Sequence, residues 1–502
     1  MKKLFLFGLL CFFNFFHANS NNLTVSNVTA TTSAVSFNVS WDNSWKINSI
    51  NNDAIWIFVK TQDCNGEKTW DHCKVSSNGN TIAGGLLEII VASDNNGVFI
   101  KRVAEGSGNI TSTAVTLSFQ TAFSSISSIN FEVIGIEMVN IPEGQFYAGD
   151  NSTNTPGTNV FASGTQAGAR LITSEGAMTQ GYLDNPSTNY NEHAPIPAAF
   201  PKGFATFYCM KYEITQNQYA HFLNLLTHTQ QNNRAISTAG AQGAGALVNT
   251  SPTTRNSIEI SVPSIGNPAP PAVYGNDLSG NNVVDEANDG GNVACNYLSW
   301  DDLRAYLDWS ALRPMTELEY EKASRGPETP VTDGYAWGTS VIVATGAATN
   351  AGQPNEGSAL TGAGLCNHTN ASGGPLRAGF AATPGSGRAQ AGSSYYGVME
   401  LSGNVWEQTF TVGGSYSNAN YHITTSPVFN GITGDGNLNA SGDSDASNWG
   451  ATGVLANSIV RGGGSGTNTG VCTTSDRTGH MTFPKINLGR TTNVGGRGVR
   501  SN

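Results

Sequence analysis

Arg313-Pro314-Met315-Thr316-Glu317-Leu318-Glu319-Tyr320-Glu321 is the stretch on which the fold turns. Thr316 and Glu319 stand at the spacing of a capping box. The threonine hydroxyl takes a free backbone N–H of the first turn, and the glutamate reaches back to the cap's own N–H. A helix is therefore predicted from Glu317 onward. Working outward, Thr215-Gln216-Asn217-Gln218 carries the same signal, and Tyr219, Phe222, Leu223 and Leu226 then fall on one helical face. Ser299-Trp300-Asp301-Asp302 is a looser cap before Leu303, Tyr306 and Leu307. Almost everything after Gly326 is rich in Gly, Asn and Thr, with short apolar pieces. Two or three helices among long structured loops and small sheets make the class α+β. Residues 148–204 and 235–294 read as loop-rich insertions, and no internal repeat recurs at a fixed period.

Upstream the pattern changes. Ala34-Val35-Ser36-Phe37-Asn38-Val39-Ser40-Trp41 alternates with period two, and shorter apolar runs follow at 54–60, 86–92, 113–120 and 129–133. Turn clusters such as Asn78-Gly79-Asn80 separate them. Several short strands at this spacing predict an all-β sandwich domain over 21–137, joined to a second domain over 138–502.

The ends and the charge narrow the setting. Lys2 and Lys3 precede a mostly apolar run from Leu4 to Phe16, and Ala18-Asn19-Ser20 supplies small residues for cleavage. Residues 1–20 thus read as a signal peptide, which predicts a secreted or cell-surface protein. No later run of 18 apolar residues exists, so no transmembrane segment is predicted. The net charge of -11 argues against a nucleic-acid partner, because phosphate contact needs clustered Lys and Arg. Beyond the leader six cysteines remain: Cys64, Cys73, Cys209, Cys295, Cys366 and Cys472. An even count in an exported chain favours disulfides, and proximity in sequence suggests Cys64–Cys73.

Seven or more segments, in order, resemble the formylglycine-generating enzyme (sulfatase-modifying factor) family. They are Met138–Phe146 (MVNIPEGQF), Tyr212–Tyr219 (YEITQNQY), Leu298–Asp302 (LSWDD), Arg313–Glu321, Tyr335–Gly338 (YAWG), Tyr396–Glu407 (YGVMELSGNVWE), Val460–Gly463 (VRGG) and Gly496–Arg500 (GRGVR). The resemblance covers about 138–502 and implies a C-type-lectin-like fold. It does not fix a function, because the family holds copper oxidases, non-haem iron sulfoxide synthases and non-catalytic binding or scaffold members.

The family's oxidases need two nearby thiolates after Arg-Gly-Gly, since soft sulfur holds Cu(I). Here Arg461-Gly462-Gly463-Gly464-Ser465 is followed by a single cysteine, Cys472, with Thr473, Thr474, Ser475, Asp476 and Arg477 beyond it. Cys472 then reads as half of a disulfide, with Cys366 as its partner. The iron-type His-x-x-x-His-x-Glu segment is missing, and His221 and His228 lie too far apart on one predicted helix to share a metal. By resemblance, Glu400-Leu401-Ser402-Gly403-Asn404-Val405-Trp406-Glu407 is the family's calcium loop. It implies the carboxylates of Glu400 and Glu407 and the carbonyls of Gly403 and Val405 as ligands, with Asn350 in a second site. Calcium wants six to eight hard oxygens, and a tight Gly turn can offer carbonyls. Asp277, Ser279, Asn281 and Asp285 have EF-hand-like spacing, although Gly280 comes early; Asp435-Gly436-Asn437 is a fainter version. Trp41, Trp45 and Trp56 are placed in the β-domain core or at a domain contact, with sugar stacking as the alternative. The reading is an exported, non-catalytic binding or assembly protein stabilised by calcium. Its partners would be other protein subunits (copies of itself or surface-complex components) or surface glycans. Related ligand binders end in a similar Arg-Gly-Gly to Gly-x-Arg segment, which would make 461–500 the ligand face. The rival is a metal-dependent oxidoreductase.

Overall fold

A computed structural model describes residues 22–66, 68–150, 161, 168–179, 194–412, 426–450, 458–477 and 489–501. The leader reading at 1–20 lies outside these residues, as does much of the predicted 148–204 insertion.

The alternating segment forms β2 (Ala34–Lys46), between β1 (Thr24–Ala30) and β8 (Gly106–Ser118), with β5 (Thr81–Ile82) beyond β8. Val35, Phe37, Val39 and Trp41 are buried along one face of β2, as its period of two requires. They meet Ile55, Ile57 and Val59 of β3 (Asp53–Asp63) in one apolar cluster. The opposite face of β3 carries Ala54, Trp56 and Phe58, which pack into a second cluster against the helices. Phe58 meets Trp309 edge-on at 5.5 Å, and the Trp56 indole N–H donates to the Ser310 carbonyl at 3.0 Å. A strand apolar on both faces belongs in the middle of a layered structure. β3 is that strand, with a sheet on one side and helices on the other.

The central sheet runs in the order Arg313–Pro314, Gly498–Arg500, Phe207–Met210, β9 (Ile129–Ile141), β3, β7 (Val98–Arg102), β6 (Leu87–Val91), with β4 (Trp70–Cys73) also on β3. β9 is what unites the two halves of the chain. Its residues 129–139 pair with β3, and 138–141 pair with Phe207–Met210. The expected domain boundary between 137 and 138 therefore falls inside an unbroken strand. The alternating run at 129–133 and the motif beginning at Met138 read as separate pieces, but Ile134-Gly135-Ile136-Glu137 continue the pairing between them.

Four α-helices occur among the described residues, so the architecture is α+β with sheet predominating. α1 (Gln216–Asn224), α3 (Trp300–Trp309) and α4 (Glu317–Arg325) each start at a complete capping box, including the looser-looking Ser299/Asp302 pair. A fourth box, Thr227/Gln230, starts α2 (His228–Arg234). His221 and His228 consequently sit on separate helices, not on one. The predicted 235–294 insertion contains a hairpin, Ile258–Val262 with Val273–Asn276, held on α1 by reciprocal bonds of Asn224 and Tyr274 at 2.9 and 2.8 Å.

The β3–β4 register corrects the Cys64–Cys73 pairing. Cys73 lies opposite Val59, whereas Cys64 lies past the end of β3 in the hairpin turn. Five extended residues separate those levels by about 16 Å, and a disulfide needs Cα atoms within about 7 Å. The six cysteines among the described residues are free thiols, so the expected Cys366–Cys472 disulfide is not formed either. Trp41 and Trp56 are buried core residues, which removes them as sugar platforms; Trp45 is partly buried against the cluster that holds Tyr396 and Val398. No helix among the described residues is long and apolar enough to cross a membrane.

Candidate functional site

Helix α4 organises the Arg461-Gly462-Gly463 segment. Glu317 accepts from Arg461 Nη1 at 3.0 Å, from Arg477 Nε and Nη2 at 2.6 and 2.9 Å, and from Thr411 and the Val412 N–H at 2.8 and 2.9 Å. Glu321 accepts from Arg461 Nη2 at 2.6 Å. Burial works to raise the Glu317 pKa, but Arg477 and Arg461 outweigh it and hold it down to about 2. The residues after Arg-Gly-Gly are thus stitched into the interior. Ser475 accepts from Arg325 Nη2 at 2.6 Å, and the Thr474 carbonyl accepts from Arg461 at 2.8 Å.

The two glycines let this segment turn against the Tyr396–Glu407 loop. Gly462 and Gly463 have φ of +86° and +72°, and a Cβ on Gly463 would lie 2.5 Å from Cys472 Sγ. Across the contact, a Cβ on Gly403 would collide with Cys366 Sγ, and the Gly403 N–H donates to the Gly462 carbonyl at 2.7 Å. Cys366 and Cys472 thereby come together, beside Tyr335 and Trp337, whose rings stack at 4.9 Å. The thiols are 1% and 0% exposed. Burial, then the hydrogen bond with Cys472, pushes the Cys366 thiol well above its usual range, so it is held protonated. Cys366 lies far from the Arg-Gly-Gly segment in sequence; the only sign of this juxtaposition there is the even cysteine count.

The Glu400–Glu407 loop holds more carboxylate than its motif reveals. Glu400 Oε2 accepts from the Gly379 N–H at 2.9 Å, while its buried Oε1 has no protein partner. Glu407 Oε1 accepts from Arg497 Nε at 2.8 Å, while its buried Oε2 has none. Glu213, which the sequence reading did not single out, joins them. It accepts from Asn404 Nδ2 at 2.6 Å and the Val405 N–H at 3.0 Å. Burial raises Glu400 to about 7, with Glu407 adding repulsion, and burial followed by Glu400 raises Glu213 well above the usual carboxylate range. Orphaned oxygens suit a hard divalent cation, but Glu213, Glu400 and Glu407 do not bring three carboxylates within reach of one ion. Arg497, already on Glu407, is the competing counter-charge. Gly403 and Val405 lie in the turn between the two glutamates, as the motif requires. Asn350 does not join them; it sits in an exposed turn whose carbonyl accepts from the Gln353 N–H at 2.9 Å.

The EF-hand-like run is put to another use. Asp277 accepts from Ser279 Oγ and from the N–H groups of Gly280, Asn281 and Asn282 at 2.6–3.2 Å. Asp285 accepts from the Asn276 N–H at 2.9 Å. Local N–H and O–H donors fill the oxygens that a calcium loop would turn inward, so Asp277, Ser279, Asn281 and Asp285 build a turn. The fainter run is where carboxylates converge: Asp308, Asp435 and Asp445 lie close enough to share an ion. Asp308 is tied to its loop by Ser444 Oγ at 2.6 Å, and buried Lys60 donates to the Gly436 carbonyl, which sets an ammonium beside the cluster.

Residues 132–489 match the family described as the sulfatase-modifying factor enzyme 1-like domain, which spans most of the chain and includes the Glu400 loop and Cys472. No curated protein matches the chain. The ordered motifs, the capped helices that position them and this match agree: the chain belongs to the sulfatase-modifying factor (formylglycine-generating enzyme) family.

Proposed function

We propose that the chain is an exported binding or assembly protein of the cell surface or extracellular space, without the oxidase chemistry of its family. The observation that carries this is the state of the sulfurs. Cys366 and Cys472 are buried to within 1% of full enclosure, and Cys366 is held as a thiol, whereas thiolate is the form that binds metal and attacks. The C-type-lectin-like framework would act as the scaffold. The two N-terminal sheets would form a β-sandwich built onto it, with calcium held by Glu400, Glu407 and the Gly403 and Val405 carbonyls. Partners would be other subunits, including copies of the chain, or glycans. Metal analysis of purified protein tests the reading: calcium without stoichiometric copper or iron is expected, and stoichiometric copper or iron would sink it.

One observation favours the oxidoreductase alternative. The fold supplies Cys472 with a second sulfur, Cys366, that the Arg-Gly-Gly segment lacks. If that pair binds metal, Cys366→Ser will abolish copper uptake from a Cu(I) donor. No uptake by the unaltered protein removes the alternative.

A further inference from the structure

Away from the thiols and the Glu400 loop, a cavity of about 490 Å³ opens between the end of α2, the 247–249 loop and the start of α3. Its size is that of a small-molecule site. Its far edge is Gly489-Arg490, within the 461–500 segment.

The floor is an ion network fixed before any ligand arrives. Asp302 accepts from Arg490 Nε and Nη2 at 2.9 and 3.1 Å and from Arg234 Nη1 at 3.3 Å, and it also closes the capping box of α3. The other arm of Arg234 donates to Asp443 at 2.7 Å. With Arg304 3.8 Å from Asp301, three guanidiniums therefore face Asp301, Asp302 and Asp443, so no positive surplus is left to attract a phosphate or carboxylate. The rim carries planar polar groups. Asn233 donates to the Ser441 carbonyl at 2.7 Å, and the exposed Asn249 amide has no side-chain partner among the described residues. The wall is apolar: Ile236, Leu247, Val248 and the ring of Tyr297, with Ile236 44% exposed.

We propose that this cavity binds a neutral carbohydrate. Sugar hydroxyls both donate and accept, which suits amide, carboxylate and guanidinium edges whose charges already cancel. The C–H face of a pyranose suits the aliphatic and aromatic wall. A rigid floor lowers the ordering cost of binding. An anion would need unmatched cations, and an extended peptide pairs with an exposed strand edge, whereas side chains line this hollow.

The inference rests on the binding-protein reading above. Its test is retention of the full-length, calcium-loaded protein on a printed array of neutral and acidic oligosaccharides and short peptides, followed by calorimetry with the best neutral glycan. Asn249→Ala removes one rim amide, and Val248→Trp fills the hollow from a half-buried position. Neutral glycans should be retained, and both variants should bind about tenfold or more weakly with unchanged melting. Retention of acidic glycans or peptides alone, no neutral glycan retained, or undiminished binding by Val248→Trp overturns the proposal. A blank array with a calcium-only protein removes the carbohydrate and leaves the binding reading standing, whereas stoichiometric copper or iron removes that reading itself.

Discussion

Glu317 shows what a single residue can carry. It sits fully buried with two guanidiniums, a hydroxyl and a backbone N–H on its carboxylate. Glu317→Gln keeps the shape and removes the charge, leaving Arg461 and Arg477 short of a buried counter-ion. The expected loss is about 3–5 kcal/mol, read from the denaturant midpoint. The pH dependence follows from the depressed pKa. Its stabilisation is complete above the ordinary value of 4.5 and is lost as pH falls through about 2. That lost share is on the order of 3 kcal/mol, and the Gln variant should lack it. Thr316 and Glu319 announce this helix in the sequence, but nothing there says that Glu317 is its charged anchor. The cysteines give a second expectation. In reduced protein exposed Cys64 should react with a thiol reagent at once, while Cys366 and Cys472 should wait for unfolding. Mass spectrometry of timed samples decides; prompt labelling of Cys472 would show that the pair is reachable.

Among the elements, β9 decides the architecture. A strand that pairs with β3 on its first part and with Phe207–Met210 on its last makes two predicted domains share one sheet. Limited proteolysis should leave 129–141 uncut, and a fragment starting at 138 should fail to melt cooperatively, because it lacks the β3 partner. Trp56 is the sharpest probe of the junction. It fills the space under α3, donates to Ser310, and carries the Arg500 guanidinium 4.2 Å from its ring. Trp56→Ala should cost about 3–5 kcal/mol, measured by equilibrium denaturation of the whole chain. Strand period was readable at 34–41, as was the apolar character of 54–60. Pairing was not, since it depends on residues far apart in the chain and no local pattern records it.

For the molecule as a whole, calcium is the quantity to measure. Chelation should lower the melting temperature of protein prepared in calcium, because an ion that binds only the folded state stabilises it by mass action. Glu400→Gln should remove that dependence if the site lies in the Glu400–Glu407 loop. Asp308→Asn should remove it instead if the ion sits among Asp308, Asp435 and Asp445. Differential scanning calorimetry with and without chelator separates the two. Sequence spacing favoured 277–285 over Asp435-Gly436-Asn437; the fold turned the first into a hydrogen-bonded turn and brought Asp435, with Asp445, onto a buried aspartate of α3.

The sequence by itself determined what rests on neighbours in the chain. It fixed where α1, α3 and α4 begin, since a capping box spans only four residues. It fixed the alternating faces of β2, and it fixed the family, since its motifs are short and ordered. Tertiary structure alone decided what depends on distant residues meeting. It merged the two predicted domains through β9, separated Cys64 from Cys73 by register, and added Glu213 to the Glu400 loop. It also brought Cys366 to Cys472 across two glycines. The physical reason is the same in each case: short-range patterns report backbone preference, whereas buried charges and thiols acquire their partners and their pKa only when packing excludes water.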